Sequence, residues 1–304
     1  MPFCSACRRR SLPSGSHRLR QRRLRHELGF PTGRGQVNMN PLKTVAKRLL
    51  SDRDYVRLGD WVFHLGKPLR FLWYRGSKHF CPCCGAHLRR FLFLGAYGYC
   101  PCCWALGRHR LLGLYLERKG LLEEQLKMLE IAPMRCSRDL FAIRPNIEYT
   151  SADLVSDRAL VRMDITSIDL PDNQFDAIIC YHVLEHIPED RKAMREICRI
   201  LKPGGWAIID VPQNLNRAMT FEDPGIVSPA ERKKHFGTEQ HVRLYGRDYV
   251  DRLRECGFEV VADSFASTLT PGEIDRYGIW LNEADTTGFV HFCRKARVRD
   301  DSRY

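Results

Sequence analysis

The sequence has no long hydrophobic run. No apolar stretch in its 304 residues approaches the roughly 18–20 residues that a membrane-spanning helix requires. The arginines near the start are not followed by an apolar stretch, which argues against a secretory signal. We therefore expect a cytoplasmic protein without a transmembrane segment.

Acidic residues are scarce at the amino-terminal end. Residues 1–38 contain nine arginines against one acid, Glu27, and so carry +8 of the formal net charge of +13. This segment also lacks periodicity and is rich in Arg, Ser and Gly, so we predict a disordered basic tail. Because only +5 remains for the rest of the chain, the charge favours RNA as a partner only weakly.

The chain contains thirteen cysteines, many of them in CxxC pairs. Without an export signal, this clustering favours a metal site in a reducing compartment over disulfides. One choice of four cysteines gives CxxC, fifteen residues and CxxC, which predicts a tetrahedral structural Zn²⁺ site around a β-hairpin. The four predicted ligands are Cys81, Cys84, Cys100 and Cys103. Cys83 and Cys102 compete for the same role, and redox activity is the alternative function. Cys4 and Cys7 form an isolated pair that we leave unassigned.

The stretch Phe175–Asp210 has the pattern of a βαβ unit. Ala177–Cys180 is typical of a buried parallel strand, and Arg191–Leu201 has helical spacing. Lys202–Gly205 is expected to stop that helix in a turn, and Trp206–Asp210 to form the second strand. Open α/β sheets bind ligands at the carboxyl ends of their strands. The loop at that edge contains Tyr181, His182, Glu185 and His186.

The sequence FDAIICYHVLEHI, followed by RILKPGG, resembles the central part of the catalytic domain in class I S-adenosylmethionine-dependent methyltransferases of the type 11 group. Along nearly its whole length the chain resembles a subgroup with an N-terminal Cys4 zinc ribbon. The resemblance implies an α/β fold: a doubly wound, mostly parallel, seven-stranded Rossmann-like methyltransferase sheet preceded by a small zinc ribbon. It also implies S-adenosylmethionine as cofactor beside the structural Zn²⁺.

The resemblance further implies cofactor contacts at successive strand ends. Leu126–Ile131 is the predicted first strand, and Ala132 and Met134 stand in the following loop where glycines are expected. Asp153 is expected to bind the ribose hydroxyls. Glu130 is expected to contact the methionine part of the cofactor. Asp164 is expected to bind the adenine amino group, and Ile165 to pack on the adenine ring. The full predicted cofactor-binding set is Glu130, Ala132, Pro133, Asp153, Asp164, Ile165, Tyr181 and His182.

Residues 212–247 are predicted to be an irregular lid over the acceptor pocket, because a long loop inside a domain is usually functional. We predict His241 and His186 as catalytic residues, since histidine titrates near neutral pH. Arg243 and Tyr245 are predicted to bind the substrate, and Arg243 suits an anionic one. Catalysis by proximity alone, without a general base, remains the alternative.

The predicted segments are a disordered tail (1–38), a helical N-terminal segment (39–78), the zinc ribbon (79–106), a linking helix (107–124), the methyltransferase domain (125–297) and a second tail (298–304). We expect the aromatic stretch Trp61–Tyr74 to pack on the neighbouring domain. Arg108, His109 and Arg110 are expected on a solvated helix face, with phosphate binding as the alternative.

We predict transfer of a methyl group to an oxygen or nitrogen atom of a small molecule or saccharide. The alternatives are an RNA methyltransferase that uses the ribbon for recognition, and a non-catalytic binding protein whose altered glycine loop no longer takes the cofactor.

Overall fold

A computed structural model describes residues 62–63, 65–94, 97–156, 158–280 and 288–297. The predicted tails (1–38 and 298–304), the isolated cysteine pair and the predicted helix around Leu42–Leu50 lie outside the described residues. Among the described residues, no helix combines the length and the apolar character that crossing a membrane requires.

A seven-stranded sheet forms the centre of the molecule. Its strands in chain order are β5 (Leu126–Ile131), β6 (Ile147–Asp153), β7 (Val161–Arg162), β8 (Phe175–Tyr181), β9 (Leu201–Asp210), β12 (Phe258–Asp263) and β13 (Val290–Lys295). Their order across the sheet is β12-β13-β9-β8-β5-β6-β7. The pairs from β9 to β7 are parallel and β13 is antiparallel to both of its neighbours. This arrangement confirms the predicted fold class.

Helices cover both faces of this sheet. Successive strand residues point to opposite sides, and apolar residues on both sides need to be buried. Leu129 and Ile178 enter one core together with α3 (Asp190–Ile200) and α5 (Tyr249–Glu255). Met128 and Ile179 enter a second core together with α2 (Gly107–Arg118). Burial on both faces explains why β5 and β8 read as nearly continuous apolar runs.

The segment Lys202–Gly205 does not form the predicted turn. Helix α3 ends at Ile200, and β9 begins directly at Leu201, so these four residues belong to the strand. The pairing of β9 with β8 shifts register between Phe175 and Ala177, opposite this segment. A side chain at Gly205 would lie 2.9 Å from the carbonyl oxygen of Asp176. The glycine therefore permits close pairing of β9 with β8 and does not form a turn after the helix.

A Cys-rich module, residues 75–106, precedes α2. It consists of two antiparallel hairpin pairs: β1 (Arg75–Cys81) with β2 (Ala86–Leu88), and β3 (Leu92–Leu94) with β4 (Tyr97–Tyr99). The preceding helix α1 (Lys67–Tyr74) packs Phe71 and Tyr74 against the module's core. Leu72 and Trp73 of the same helix are 73% and 68% exposed, so the expected packing of this stretch holds for only part of it.

Arg110 fastens the Cys-rich module to the sheet domain. The prediction of a solvated helix face was wrong for this residue, because its side chain is fully buried. Its guanidinium donates to the carbonyl oxygens of Gly98 (3.0 Å), Tyr277 (2.8 Å) and Gly278, and it stacks on the Phe91 ring. A planar guanidinium with five donors can satisfy several carbonyl groups that would otherwise be buried without partners.

The predicted lid is not irregular. It contains β10 (Phe221–Glu222), α4 (Pro229–Phe236) and β11 (Arg243–Leu244). The hydroxyl of Ser228 caps α4 by accepting from the Glu231 backbone amide, and Gly237 ends the helix with φ +88°. The sequence therefore carries a standard helix start and stop in this segment. A further helix, α6 (Pro271–Tyr277), follows β12.

Candidate active site

The strand register brings the predicted cofactor residues to one edge of the sheet. Ile131 pairs with both Ala152 and Cys180, and Tyr181 pairs with Asp210. The loops that follow β5, β6, β8 and β9 therefore start side by side. This is the edge at which open parallel sheets bind ligands.

The loop after β5 retains the backbone shape of a glycine loop without glycine. Ala132 adopts φ +54°, in the left-handed region that favours glycine, and its amide donates to the Ala152 carbonyl oxygen at 2.8 Å. Such a conformation costs about 1–3 kcal/mol for a residue with a side chain. Strain of this kind is typical of functional sites.

The other side chains of this loop pack into the protein. Met134 is partly buried against both the second sheet core and the core of the Cys-rich module. Cys136 is fully buried within the module's core. The side chains of Met134 and Cys136 therefore pack against the Cys-rich module and do not crowd the loop.

The carboxyl group of Glu130 orders this loop from beneath. It is 1% exposed, and it accepts hydrogen bonds from Ser137 Oγ (2.6 Å), the Met134 amide (3.2 Å) and Tyr149 Oη (2.5 Å). Burial raises the pKa of Glu130 to about 7, against these three hydrogen bonds, which lower it. Near neutral pH the group is therefore often protonated, and all three contacts serve the loop and β6.

Asp153 and Asp164 each use one carboxylate oxygen to shape the turn that follows. Asp153 Oδ1 accepts from the amides of Val155 and Ser156, both at 2.8 Å. Asp164 Oδ1 accepts from the amide and the hydroxyl of Thr166, and these hydrogen bonds lower the pKa of Asp164. Asp164 is exposed and Asp153 half-buried. These contacts hold both side chains at the sheet edge.

The remaining predicted cofactor residues differ in exposure. Ile165 is 5% exposed and belongs to the first sheet core. Tyr181 is also buried, and its hydroxyl donates to the Arg108 carbonyl oxygen at 3.3 Å. His182 adopts φ +60° and its amide donates to the Asp210 carbonyl oxygen at 2.8 Å. The edge thus contains a second strained residue, one strand away from Ala132.

A histidine cluster surrounds Glu185 at the end of β8. Glu185 Oε1 lies 3.5 Å from His182 Nδ1, 4.0 Å from His186 Nε2 and 4.0 Å from His241 Nε2. Burial raises the pKa of Glu185, but the hydrogen bond from His182 and the nearby histidine charges outweigh it, so the net pKa is lowered. Burial also lowers the pKa of His241, and Glu185 opposes that shift. The structure thus brings His186 and His241 together and adds Glu185, which the prediction left out.

Arg243 and Tyr245 lie inside the lid. Arg243 is 3% exposed and donates to Glu222 Oε2 (2.8 Å) and to the carbonyl oxygens of Leu184 (3.0 Å) and Pro188 (2.7 Å). Tyr245 is fully buried. Its hydroxyl donates to the carboxylate of Asp190 at 2.8 Å. The contacts with Leu184, Pro188 and Asp190 fix the lid to the segment after β8, and the predicted contact of Arg243 and Tyr245 with a substrate stays a prediction.

Asp210 and His291 form a buried pair that the sequence did not indicate. His291 Nδ1 lies 2.5 Å from Asp210 Oδ1, and Asp210 Oδ2 has no hydrogen-bond partner in the described part of the chain. The two residues are far apart in sequence, on β9 and β13. Only the sheet order makes them neighbours, so no local signal could have revealed the pair.

The four predicted zinc cysteines converge in the Cys-rich module. The Sγ atoms of Cys81 and Cys103 are 3.6 Å apart, those of Cys84 and Cys100 are 3.8 Å apart, and all four lie within 4.8 Å of one another. Tetrahedral zinc with Zn–S bonds of about 2.3 Å requires sulfur separations of roughly 3.8 Å. The arrangement therefore fits a tetrahedral Zn²⁺ ion. Cys83 instead donates to the His109 carbonyl oxygen at 3.3 Å.

The central part of the sheet domain matches a known protein family. Residues 127–209, from β5 through β9, match the family described as "Methyltransferase domain". The match includes β8 and the loop that carries Ala132.

The chain is similar to the ubiquinone biosynthesis O-methyltransferase of Albidiferax ferrireducens. It is 29% identical over 155 residues, which are 51% of this chain and 50% of that protein. The chain thus spans about half the length of this relative.

Solved methyltransferase structures align with 60% or more of the chain. The S-adenosylmethionine-dependent methyltransferase of Mesorhizobium loti shares 16% identity over 61% of this chain and 98% of its own, with a TM-score of 0.43. The 1,6-didemethyltoxoflavin-N1-methyltransferase of Burkholderia thailandensis shares 16% identity over 62% and 78%, with a TM-score of 0.42. The fold assignment itself rests on the strand order.

Proposed function

We propose that the chain is an S-adenosylmethionine-dependent methyltransferase that acts on a hydroxyl oxygen of a small-molecule acceptor. The match of residues 127–209 to the methyltransferase domain family carries this proposal. The name of the Albidiferax relative, an O-methyltransferase, supports oxygen as the acceptor atom. Saccharides belong to the same class of hydroxyl acceptor.

The sheet edge fits the cofactor. Ala132 keeps the left-handed turn that lets backbone amides approach a ligand, and the side chain of Met134 is packed away from it. Asp153 would bind the ribose hydroxyls and Asp164 the adenine amino group, since turn contacts hold both side chains at the ends of neighbouring strands. Glu130 would act by ordering the loop, because its hydrogen bonds are already made within the protein.

The chemistry of transfer places few demands on the protein. Bound S-adenosylmethionine supplies a methyl group that its sulfonium sulfur already activates. The chain must hold the acceptor oxygen in line with that group and keep water out. We assign acceptor activation to the cluster that contains His186, from the loop after β8, and His241, from the lid.

We also propose that Cys81, Cys84, Cys100 and Cys103 bind a structural Zn²⁺ ion. Four cysteine ligands leave no open coordination position, so the ion would stabilise the Cys-rich module and take no part in the reaction. Through Met134 and Cys136, the same module supports the cofactor loop. The CxxC spacing, and the free state of every described cysteine, support a reducing location such as the cytoplasm.

Calorimetry with S-adenosylmethionine tests the cofactor assignment. We expect the wild-type chain to bind it, and Asp153→Asn to bind roughly 10–100-fold more weakly, since a hydrogen bond to a charged group contributes about 1.5–3 kcal/mol. Glu148→Gln is the matched control, because Glu148 is an exposed acid near the other end of β6. Absence of binding at millimolar cofactor would refute the enzyme assignment and leave a non-catalytic protein.

Transfer of a radiolabelled methyl group then tests the acceptor class. We expect label in low-molecular-weight hydroxyl compounds, with phenols, hydroxy acids and oligosaccharides as the probes. Label recovered only in RNA would contradict the small-molecule assignment and favour the RNA methyltransferase. Label in amines alone would contradict oxygen as the acceptor atom.

A further inference from the structure

Glu185 is an unusual buried carboxylate. It is 2% exposed, and its Oε2 atom has no hydrogen-bond partner in the described part of the chain. A buried carboxylate oxygen without a partner costs free energy, so native structures normally satisfy it. Three imidazole rings surround the same group, and the ring nitrogen of His182 is the nearest at 3.5 Å.

The distances around Glu185 suit a metal ion. One ligand atom each from Glu185, His186 and His241 lies within 4.8 Å of the other two, and the carboxylate-to-imidazole distances are both 4.0 Å. Bonds of about 2.0–2.2 Å from zinc to nitrogen and oxygen place tetrahedral ligands roughly 3.4 Å apart. Small side-chain rotations therefore close the site around an ion.

The outer contacts of the two histidines also match those of metal ligands. His186 Nδ1 lies 3.2 Å from the Gln240 carbonyl oxygen, so the Nδ1–H donates there and Nε2 faces Glu185. A hydrogen bond joins the His241 ring to the backbone of Phe236. Histidines that bind metals almost always donate their second ring N–H to a backbone carbonyl or carboxylate. His186 Nε2 lies 4.0 Å from Glu185 Oε1, so a cation between the two atoms could be bound by both.

The backbone holds this arrangement across a long stretch of sequence. The Val242 amide donates to the Glu185 carbonyl oxygen at 2.9 Å, which fixes the lid strand beside the loop after β8. Arg243 donates to the carbonyl oxygens of Leu184 and Pro188, which lie in that loop before Glu185 and after His186. These hydrogen bonds between the lid and the loop after β8 therefore fix the position of His241 relative to His186.

We propose that Glu185, His186 and His241 form a second metal site, for a divalent first-row transition ion such as Zn²⁺, with one coordination position open toward the acceptor. Two imidazoles and one carboxylate are a donor set of catalytic zinc sites, which keep such an open position. Imidazole ligands select against Mg²⁺ and Ca²⁺, which prefer oxygen.

The site would take an acceptor that binds the ion through oxygen, as a phenol or a hydroxy acid does. A bound ion lowers the pKa of a coordinated hydroxyl, so the acceptor loses its proton to solvent near neutral pH. The ion would then do the work that we predicted for His241 as a free base. This role rests on the proposed function, whereas the binding of the metal does not.

Metal content and cobalt spectroscopy of the full chain test the site without cofactor or acceptor. We expect Co²⁺ to fill two sites, of which the Cys4 site alone gives thiolate-to-cobalt charge-transfer bands. His241→Ala and Glu185→Gln should each lose the second equivalent of metal and keep those bands. Retained bands also show that the variant is folded. His235→Ala is the matched control, an exposed histidine of the same lid, and should keep both equivalents.

Binding of one equivalent only by the wild-type chain, all of it lost in Cys84→Ser, would overturn the proposal. Two equivalents in both His241→Ala and Glu185→Gln would overturn it as well. Calorimetry with S-adenosylmethionine is measured separately, so a chain that binds the cofactor but no second metal refutes the site alone. A chain that binds the second metal but no cofactor supports the site and refutes the enzyme.

Discussion

Replacing Glu130 by glutamine removes one ionisable group from beneath the cofactor loop and little else. Glutamine has the same shape as the protonated carboxyl, and its oxygen can still accept from Ser137 Oγ and the Met134 amide, as Glu130 does at 2.6 and 3.2 Å. Its amide can donate to Tyr149 Oη in place of the present contact. The substitution therefore isolates the free energy of holding this carboxyl group in a buried position.

The sign of the effect follows from the two pKa values. Below about pH 4.5 the carboxyl is protonated in the folded and unfolded chains, so ionisation contributes nothing to stability. Between pH 4.5 and about 7 the unfolded chain releases the proton while the folded chain keeps it, so the free energy of unfolding falls as pH rises. Above pH 7 the loss stays constant at about 3 kcal/mol, taking roughly 1.4 kcal/mol for each pKa unit.

Urea unfolding followed by circular dichroism, with zinc and a thiol reductant at constant concentration, measures this loss. We expect Glu130→Gln to be more stable than wild type by about 1 kcal/mol or less at pH 5 and by about 3 kcal/mol at pH 8.5. Glu148→Gln, an exposed acid on the adjacent β6, should show no such pH dependence. A stability difference that does not change with pH would refute the reasoning, because it would mean that Glu130 ionises as easily in the folded chain as in water.

Two further predictions concern the lid and the Cys-rich module. Asp190→Asn should lower the free energy of unfolding by about 2 kcal/mol, because it removes one of the three carboxylates that pair with the buried Arg252 and leaves Glu222 and Asp248. Asp190 Oδ2 accepts from Arg252 at 3.1 Å, and urea unfolding would contradict this estimate by showing a loss below about 1 kcal/mol. Cys84→Ser should abolish high-affinity zinc binding by the module, whereas Cys83→Ser should keep it, as measured by competition with a chromophoric chelator. Equal zinc affinity in the two variants would contradict the assignment of the ligands.

Local sequence patterns predicted the central strands well. Leu126–Ile131 was predicted with the bounds that the structure gives to β5, and Ala177–Cys180 lies within β8. Both are short apolar runs, and their burial on two faces leaves a pattern that the sequence alone displays. The same kind of reasoning failed at Lys202–Gly205, since pairing with β8 draws a Pro-Gly segment into a strand.

The lid shows a second limit of local reasoning. Its length predicted a functional segment of irregular structure, whereas Ser228 and Gly237 cap the helix α4 within it. The side chains of Arg243 and Tyr245 are the polar groups one would choose for a substrate. Their partners Glu222 and Asp190 lie 21 and 55 residues away, so their burial is invisible in the sequence.

The sequence by itself determined the class of the sheet domain and the identity of four converging cysteines, because both depend on spacing along the chain. Only the tertiary structure decided what happens at the sheet edge. It buried Glu130 and raised its pKa, turned Ala132 into the left-handed region, and set His241 against Glu185 and His186. Each of these depends on contacts between distant residues, and burial and charge proximity exist only after the chain has folded.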